Sequence, residues 1–193
     1  MSDNFSPKAL EIMEHTRSLL ELGGYNSFSY ADISERVHIR KASIHHHFPN
    51  KAELVRVVVE QYREEARAGL EALNRNLDDP VLAIEAYVDY WTQCIVEGTS
   101  PMCICALLAM ELPSIPVEIA DQVRAHFKDL TDWLTGVFEK GAAQQRLTLS
   151  SDPATEASAF LATVHGAMLS ARGTANPEMF HQIVKHHIRR LMT

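Results

Sequence analysis

A chain of 193 residues with net charge -7 and 46% hydrophobic residues has room for one core, or for a small domain beside a larger one. No apolar run reaches the ~18 residues of a membrane span, and the opening MSDNFSPKALEIMEHTRS lacks the basic head and apolar stretch of a secretory signal. Three cysteines, an odd number, fit free thiols in a reducing compartment, so the expected location is cytoplasmic, with no membrane partner.

Proline placement parses most of the chain. Ser6-Pro7 pairs an N-cap residue with proline at the first helical position. Leu10, Ile12, Met13, Leu19 and Leu20 then recur at helical spacing until Gly23-Gly24 stops the helix. Ser29 and Asp32 stand at capping-box spacing ahead of Ile33 and Val37, predicting a second helix of roughly two turns. Arg40 to His47 is predicted as a third, with Ile44 and Phe48 on one face. Asn50 and Glu53 repeat the capping spacing and launch a fourth helix, from Leu54 through Tyr62 and Leu70 to about Asn76. Asp79-Pro80 opens a fifth, carrying Ile84, Val88, Trp91 and Ile95 and closing at Gly98. A short apolar helix runs from about Met102 to Leu112. After the break at Pro113 and Pro116, Val123, Phe127, Leu130, Leu134, Val137 and Phe138 mark a long helix to about Gln144. Asp152-Pro153 and Asn176-Pro177 open the last two, on Phe160, Leu161, Val164 and Met168, then Phe180, Ile183, Val184, His187 and Leu191. Nine helices and no convincing strand give an all-α fold.

The second and third helices carry the functional signal. From Arg36 to Lys51 there are four basic residues and no acid, inside an acidic chain. A compact basic helix pair is what a helix-turn-helix needs, because phosphates attract it and the second helix enters the major groove. The overall negative charge does not oppose this, since salt screens it beyond roughly 10 Å. Arg40, Lys41 and Ser43 lie on the first turn of the predicted recognition helix. His45, His46 and His47 follow, with His46 the candidate for partial burial, and Lys51 opens the next helix.

Ala42, Ser43, Ile44, His46, Phe48 and Lys51, within IRKASIHHHFPNK, resemble the DNA-binding signature of TetR-type transcriptional regulators. The chain departs from it at His38, where the turn commonly has Gly, at Arg40, where a Ser usually caps the helix, and at His45 and His47, where tyrosines are usual. The resemblance implies a nine-helix TetR-like fold, with a helix-turn-helix domain over residues 1–50 and a ligand-binding and dimerisation domain over 51–193. It implies a homodimeric repressor on a palindromic double-stranded DNA operator, released by a small-molecule effector. The DNA-binding candidates are Ser29, Arg40, Lys41, Ser43, His45, His46, His47 and Lys51.

The segment from Met102 to Leu112 resembles a branch of that family that includes the N-ethylmaleimide reductase repressor, with Cys103 as the matching cysteine. The implied alternative is an electrophile- or redox-sensing repressor acting through Cys103, which requires an accessible thiol of lowered pKa. A further alternative is a DNA-binding protein without an effector. Trp91, Cys103, Leu107, Phe127, His165 and Met168 are the candidate ligand residues, on apolar helix faces of a bundle. Small residues along the last two helices, among them Ala159, Ala162, Gly166 and Ala171, allow close packing with a second copy across a two-fold axis. Three consecutive histidines on a helix point about 100° apart and cannot share a metal. No nucleophile elbow, phosphate loop or HExxH is present, so neither enzyme activity nor a cofactor or metal is expected.

Overall fold

The computed structural model describes residues 5–192. Among them are nine α-helices, one 3-10 turn at Tyr25–Ser27 and no strand. The helices are α1 (Pro7–Gly23), α2 (Tyr30–Val37), α3 (Lys41–His47), α4 (Lys51–Asn76), α5 (Pro80–Glu97), α6 (Ile104–Met110), α7 (Val117–Ala143), α8 (Pro153–Gly173) and α9 (Glu178–Leu191).

Side-chain caps set most helix starts. Ser6 accepts from the Ala9 N–H at 3.2 Å, Asp79 from Val81 at 2.9 Å and Asp152 from Thr155 at 3.0 Å. Asn50 accepts from Glu53 at 2.9 Å, and both halves of the Ser29–Asp32 capping box are formed. Helices α3, α6 and α9 start without such a bond. Asn176 does not cap α9; Pro177 takes that place without a side-chain bond. The Asn176 N–H is drawn to the Ala171 carbonyl at 3.0 Å and so closes the end of α8 instead.

The chain forms two compact units. The first holds the residues up to Glu64 together with Cys103–Ala125; the second holds Glu65–Met102 and the chain from His126 onward. The boundary between these packing units does not fall between helices. It cuts α4 and α7, and α6 belongs with the helix-turn-helix. In the first unit Ile12, Leu20, Ile33, Ile44, Leu54, Ile104, Leu108 and Ile119 are wholly buried. Each such side chain stabilises by about 1.5–3 kcal/mol relative to exposure. In the second, Ile84, Leu134, Phe138, Phe160, Phe180 and Val184 form the core, with the Phe160 and Phe138 rings edge to face at 5.8 Å. There α9 packs on α8 and α5.

Candidate nucleic-acid interface

The turn from α2 to α3 is tight. His38 sits in the left-handed region at φ 54°, and its N–H bonds to the Ser34 carbonyl. The Ser34 hydroxyl donates to the Ile39 carbonyl at 2.6 Å, which fixes the far side of the turn. Arg40 occupies the N-cap of α3 with no side-chain cap bond, so its guanidinium is not spent on the helix.

Helix α3 buries one residue, Ile44, and Phe48 is buried just beyond its end. Arg40, Lys41, Ser43, His45 and His46 are exposed, as is Ser29 at the cap of α2. The half-buried member of the histidine trio is His47, not His46. The reason is register: Ile44 points inward, and the residue three further along shares its face. His45 is oriented by two contacts. Its Nδ1 lies 3.0 Å from the Pro49 carbonyl, and its ring meets the Tyr30 ring edge-on at 4.8 Å. A carbonyl only accepts, so Nδ1 carries the proton and Nε2 is the free ring nitrogen. Tyr30 in turn donates to the Phe48 carbonyl at 3.0 Å. Burial pushes the Tyr30 hydroxyl up to about 12, so it stays a donor.

Lys51 is placed differently from the other basic residues. Its ammonium donates to the Tyr25 carbonyl at 2.5 Å and to that of Phe28, and lies 4.4 and 4.1 Å from the centres of those two rings. Its pKa is lowered, first by burial, against the opposing pull of Glu111 and Asp32.

The likeness of the chain to known proteins covers this helix pair. Residues 12–58 match the family model of bacterial regulatory proteins of the tetR family, and residues 80–187 match the tetracyclin repressor-like C-terminal domain. A TetR-family transcriptional regulator from Agrobacterium tumefaciens is 50% identical, with 96% of this chain and 98% of that one covered and a TM-score of 0.94. The chain belongs to the TetR family. A TetR regulator from Legionella pneumophila is 26% identical over 98% of this chain and 100% of that one, with a TM-score of 0.86. The reduced form of Escherichia coli NemR has a TM-score of 0.82 over 96% of this chain and 98% of that one. At 17% identity it shares the fold only. No curated protein sequence matches the chain.

As a TetR-family member the protein is a DNA-binding transcriptional regulator, and no helix among the described residues is long and apolar enough to cross a membrane. The candidate ligand residues divide between the units. Cys103 and Leu107 lie in the first; Trp91, Phe127, His165 and Met168 lie in the second. Of these, Phe127 and His165 meet directly, ring edge to face at 5.2 Å. His165 Nε2 is buried with no hydrogen-bond partner. Burial lowers this imidazole to about 4, so it is neutral at ordinary pH. Trp91 and Met168 are buried, and Leu107 is half-buried.

Cys103 does not meet the requirements of a reactive thiol. It is completely buried at the N-cap of α6, and burial raises its pKa against the hydrogen bond from Tyr62. Cys105 is raised further, by burial and then by Cys103. Both thiols are therefore protonated and shielded, which is the environment of packed rather than reactive cysteines. Among the described residues no cluster of His, Cys, Asp or Glu could hold a metal.

Two residues that matter here escaped the sequence reading. They are Tyr30 and Glu111, whose partners lie far from them in the chain. Glu111 accepts the Tyr25 N–H at 2.6 Å, the Asn26 N–H at 3.0 Å and the Asn26 side-chain amide at 2.9 Å. Nothing local to α6 signals bonds to residues 85 and 86 positions away.

Proposed function

We propose that the protein is a repressor that binds a two-fold operator as a homodimer and is released by a small neutral effector. The exposed face of α3 carries the reading. On it Arg40, Lys41 and Ser43 supply donors to base edges and flanking phosphates, with His45 and His46 completing the groove face, the half-buried His47 at its edge and Ser29 touching the backbone from α2. The DNA-reading role centres on residues 1–50. Effector binding and dimerisation belong to 51–193.

The effector contacts are Trp91, Phe127, His165 and Met168, all in the second unit. A neutral His165 with an unpaired buried nitrogen supports an uncharged ligand with one hydrogen-bonding group. Dimerisation runs through α8 and α9. On α8, Ala159, Ala162, Gly166 and Leu169 form an exposed strip of mostly small residues, with Leu169 54% exposed.

Selection of bound duplexes from a random pool tests this. The expected product is an inverted repeat, bound with a steep salt dependence. Arg40→Ala and Ser43→Ala should each relax preference at one position per half-site, by about 1–3 kcal/mol. Enrichment without two-fold symmetry removes the dimer, and no enrichment removes the operator. If no uncharged compound that quenches tryptophan fluorescence shifts DNA affinity, the effector-independent reading takes its place.

A further inference from the structure

The link between α1 and α2 is held by side chains from elsewhere in the first unit. The carboxylate of Glu111, at the C-cap of α6, takes the N–H groups of Tyr25 and Asn26. Ser114, one turn on, accepts from the Asn26 side chain at 3.2 Å. The ammonium of Lys51, at the start of α4, takes the carbonyls of Tyr25 and Phe28. Ser27 closes a third carbonyl, donating to Gly24 at 2.9 Å. Gly24 stands at φ 80°, and a Cβ there would collide with the Glu111 carboxylate, so the close approach depends on glycine as well.

The bonds continue into the recognition elements. Ser29 follows Phe28 directly, and its N–H goes to Asp32 at 2.7 Å in the cap of α2. Tyr30 then holds Phe48 and His45 at the end of α3. An ion gripping each side of five residues thus seats the helix-turn-helix.

We propose that Glu111 and Lys51 are positioning residues for DNA binding, which grip residues 24–28 from opposite sides and thereby set the pose of α2 and α3. On this view Lys51 does not contact phosphate: two of its three N–H donors are committed to carbonyls and its charge rests on two ring faces. The proposal rests on the DNA-binding reading above, and its first measurement needs no DNA.

In the free protein, hydrogen exchange of the Tyr25 and Asn26 amides should speed up about tenfold or more in Glu111→Ala and less in Glu111→Gln, with Ile44 and Leu54 unchanged. A duplex selected by the parent then serves as probe across a salt series. Glu111→Ala and Lys51→Met should each weaken binding about tenfold with the log–log salt slope unaltered. The double variant should be scarcely weaker than the worse single one, because both act on one loop. A slope reduced by about 0.9 in Lys51→Met would make it a phosphate contact and overturn the proposal. So would additive losses, or faster amide exchange in Glu111→Ala with unchanged affinity. A parent that enriches no duplex overturns the regulator reading itself, whereas unchanged amide exchange overturns the grip alone.

Discussion

Two glutamates fasten loops in the two units, over very different distances along the chain. Glu156, in the first turn of α8, takes the N–H and hydroxyl of Ser150 at 2.9 and 2.6 Å and those of Ser151 at 3.1 and 3.2 Å. Its donors lie 5 and 6 residues before it. Glu111 reaches donors 85 and 86 residues before it. The chemistry is the same, a carboxylate filling orphan N–H groups at the edge of a helix. The consequence differs. A local bond staples its own turn, so its loss is read as stability. A remote bond fixes where one element stands against another, so its loss is read at the surface those elements present.

The largest effect expected from this contrast lies in the second unit, where one buried polar group lacks what Glu156 has. His165 is neutral in the fold, with a pKa lowered from 6.5 to about 4 by burial. Unfolded, it takes a proton at higher pH than folded. Above about 6.5 its burial therefore requires no loss of a proton, and stability falls progressively as pH drops from there toward 4, by about 3 kcal/mol in total. His165→Leu should remove that dependence and be at least as stable as the parent at pH 7.5. Urea unfolding at pH 7.5, 5.5 and 4.0 measures it. Parallel curves for parent and variant would show that His165 finds a partner in solution.

Glu156→Gln gives a smaller effect of the same direction in pH, over a lower pH range. The serine hydrogen bonds hold the Glu156 carboxyl below its usual range, so its contribution is present above about 4.5 and is lost as pH falls through the lower folded value. At pH 7 the amide should cost about 1–2 kcal/mol, and the two proteins should converge in acid. Operator affinity should not change. If it falls as far as in Glu111→Ala, the distinction between local and remote anchors does not hold.

Sequence distance also separates what was legible from what was not. Ser6-Pro7, Asp79-Pro80 and Asp152-Pro153 announced helix starts because a cap and its donors sit within three residues of each other. Asn176-Pro177 looked the same and was not, because the competing partner was the carbonyl of Ala171 at the end of the preceding helix. The basic face of α3 could be read because amphipathic spacing around Ile44 is local. The inward turn of Lys51 could not, since it depends on carbonyls 23 and 26 residues earlier. Cys103 shows the same limit: its residue type suggested chemistry, and only the packing around it showed that burial holds the thiol protonated.

The smallest expected effect tests whether the turn of the helix-turn-helix stores strain for function. His38 holds φ 54° in the first unit, and Ala175 holds φ 51° where α8 ends in the second. A side chain in this region costs about 1–2 kcal/mol, of which glycine gives back part through its looser unfolded chain. Glycine at either position should therefore raise stability by about 0.5–1 kcal/mol, read as a higher urea midpoint with the same slope. The His38 side chain is exposed and lies before α3, so His38→Gly should leave operator affinity and its salt slope as they are, just as Ala175→Gly does. A stabilised His38→Gly protein that binds DNA more weakly, beside an unaffected Ala175→Gly, would mean that the imidazole at the turn touches the backbone of the duplex. The interface would then begin at His38, two residues before Arg40, at a position whose backbone conformation alone suggests only a missing glycine.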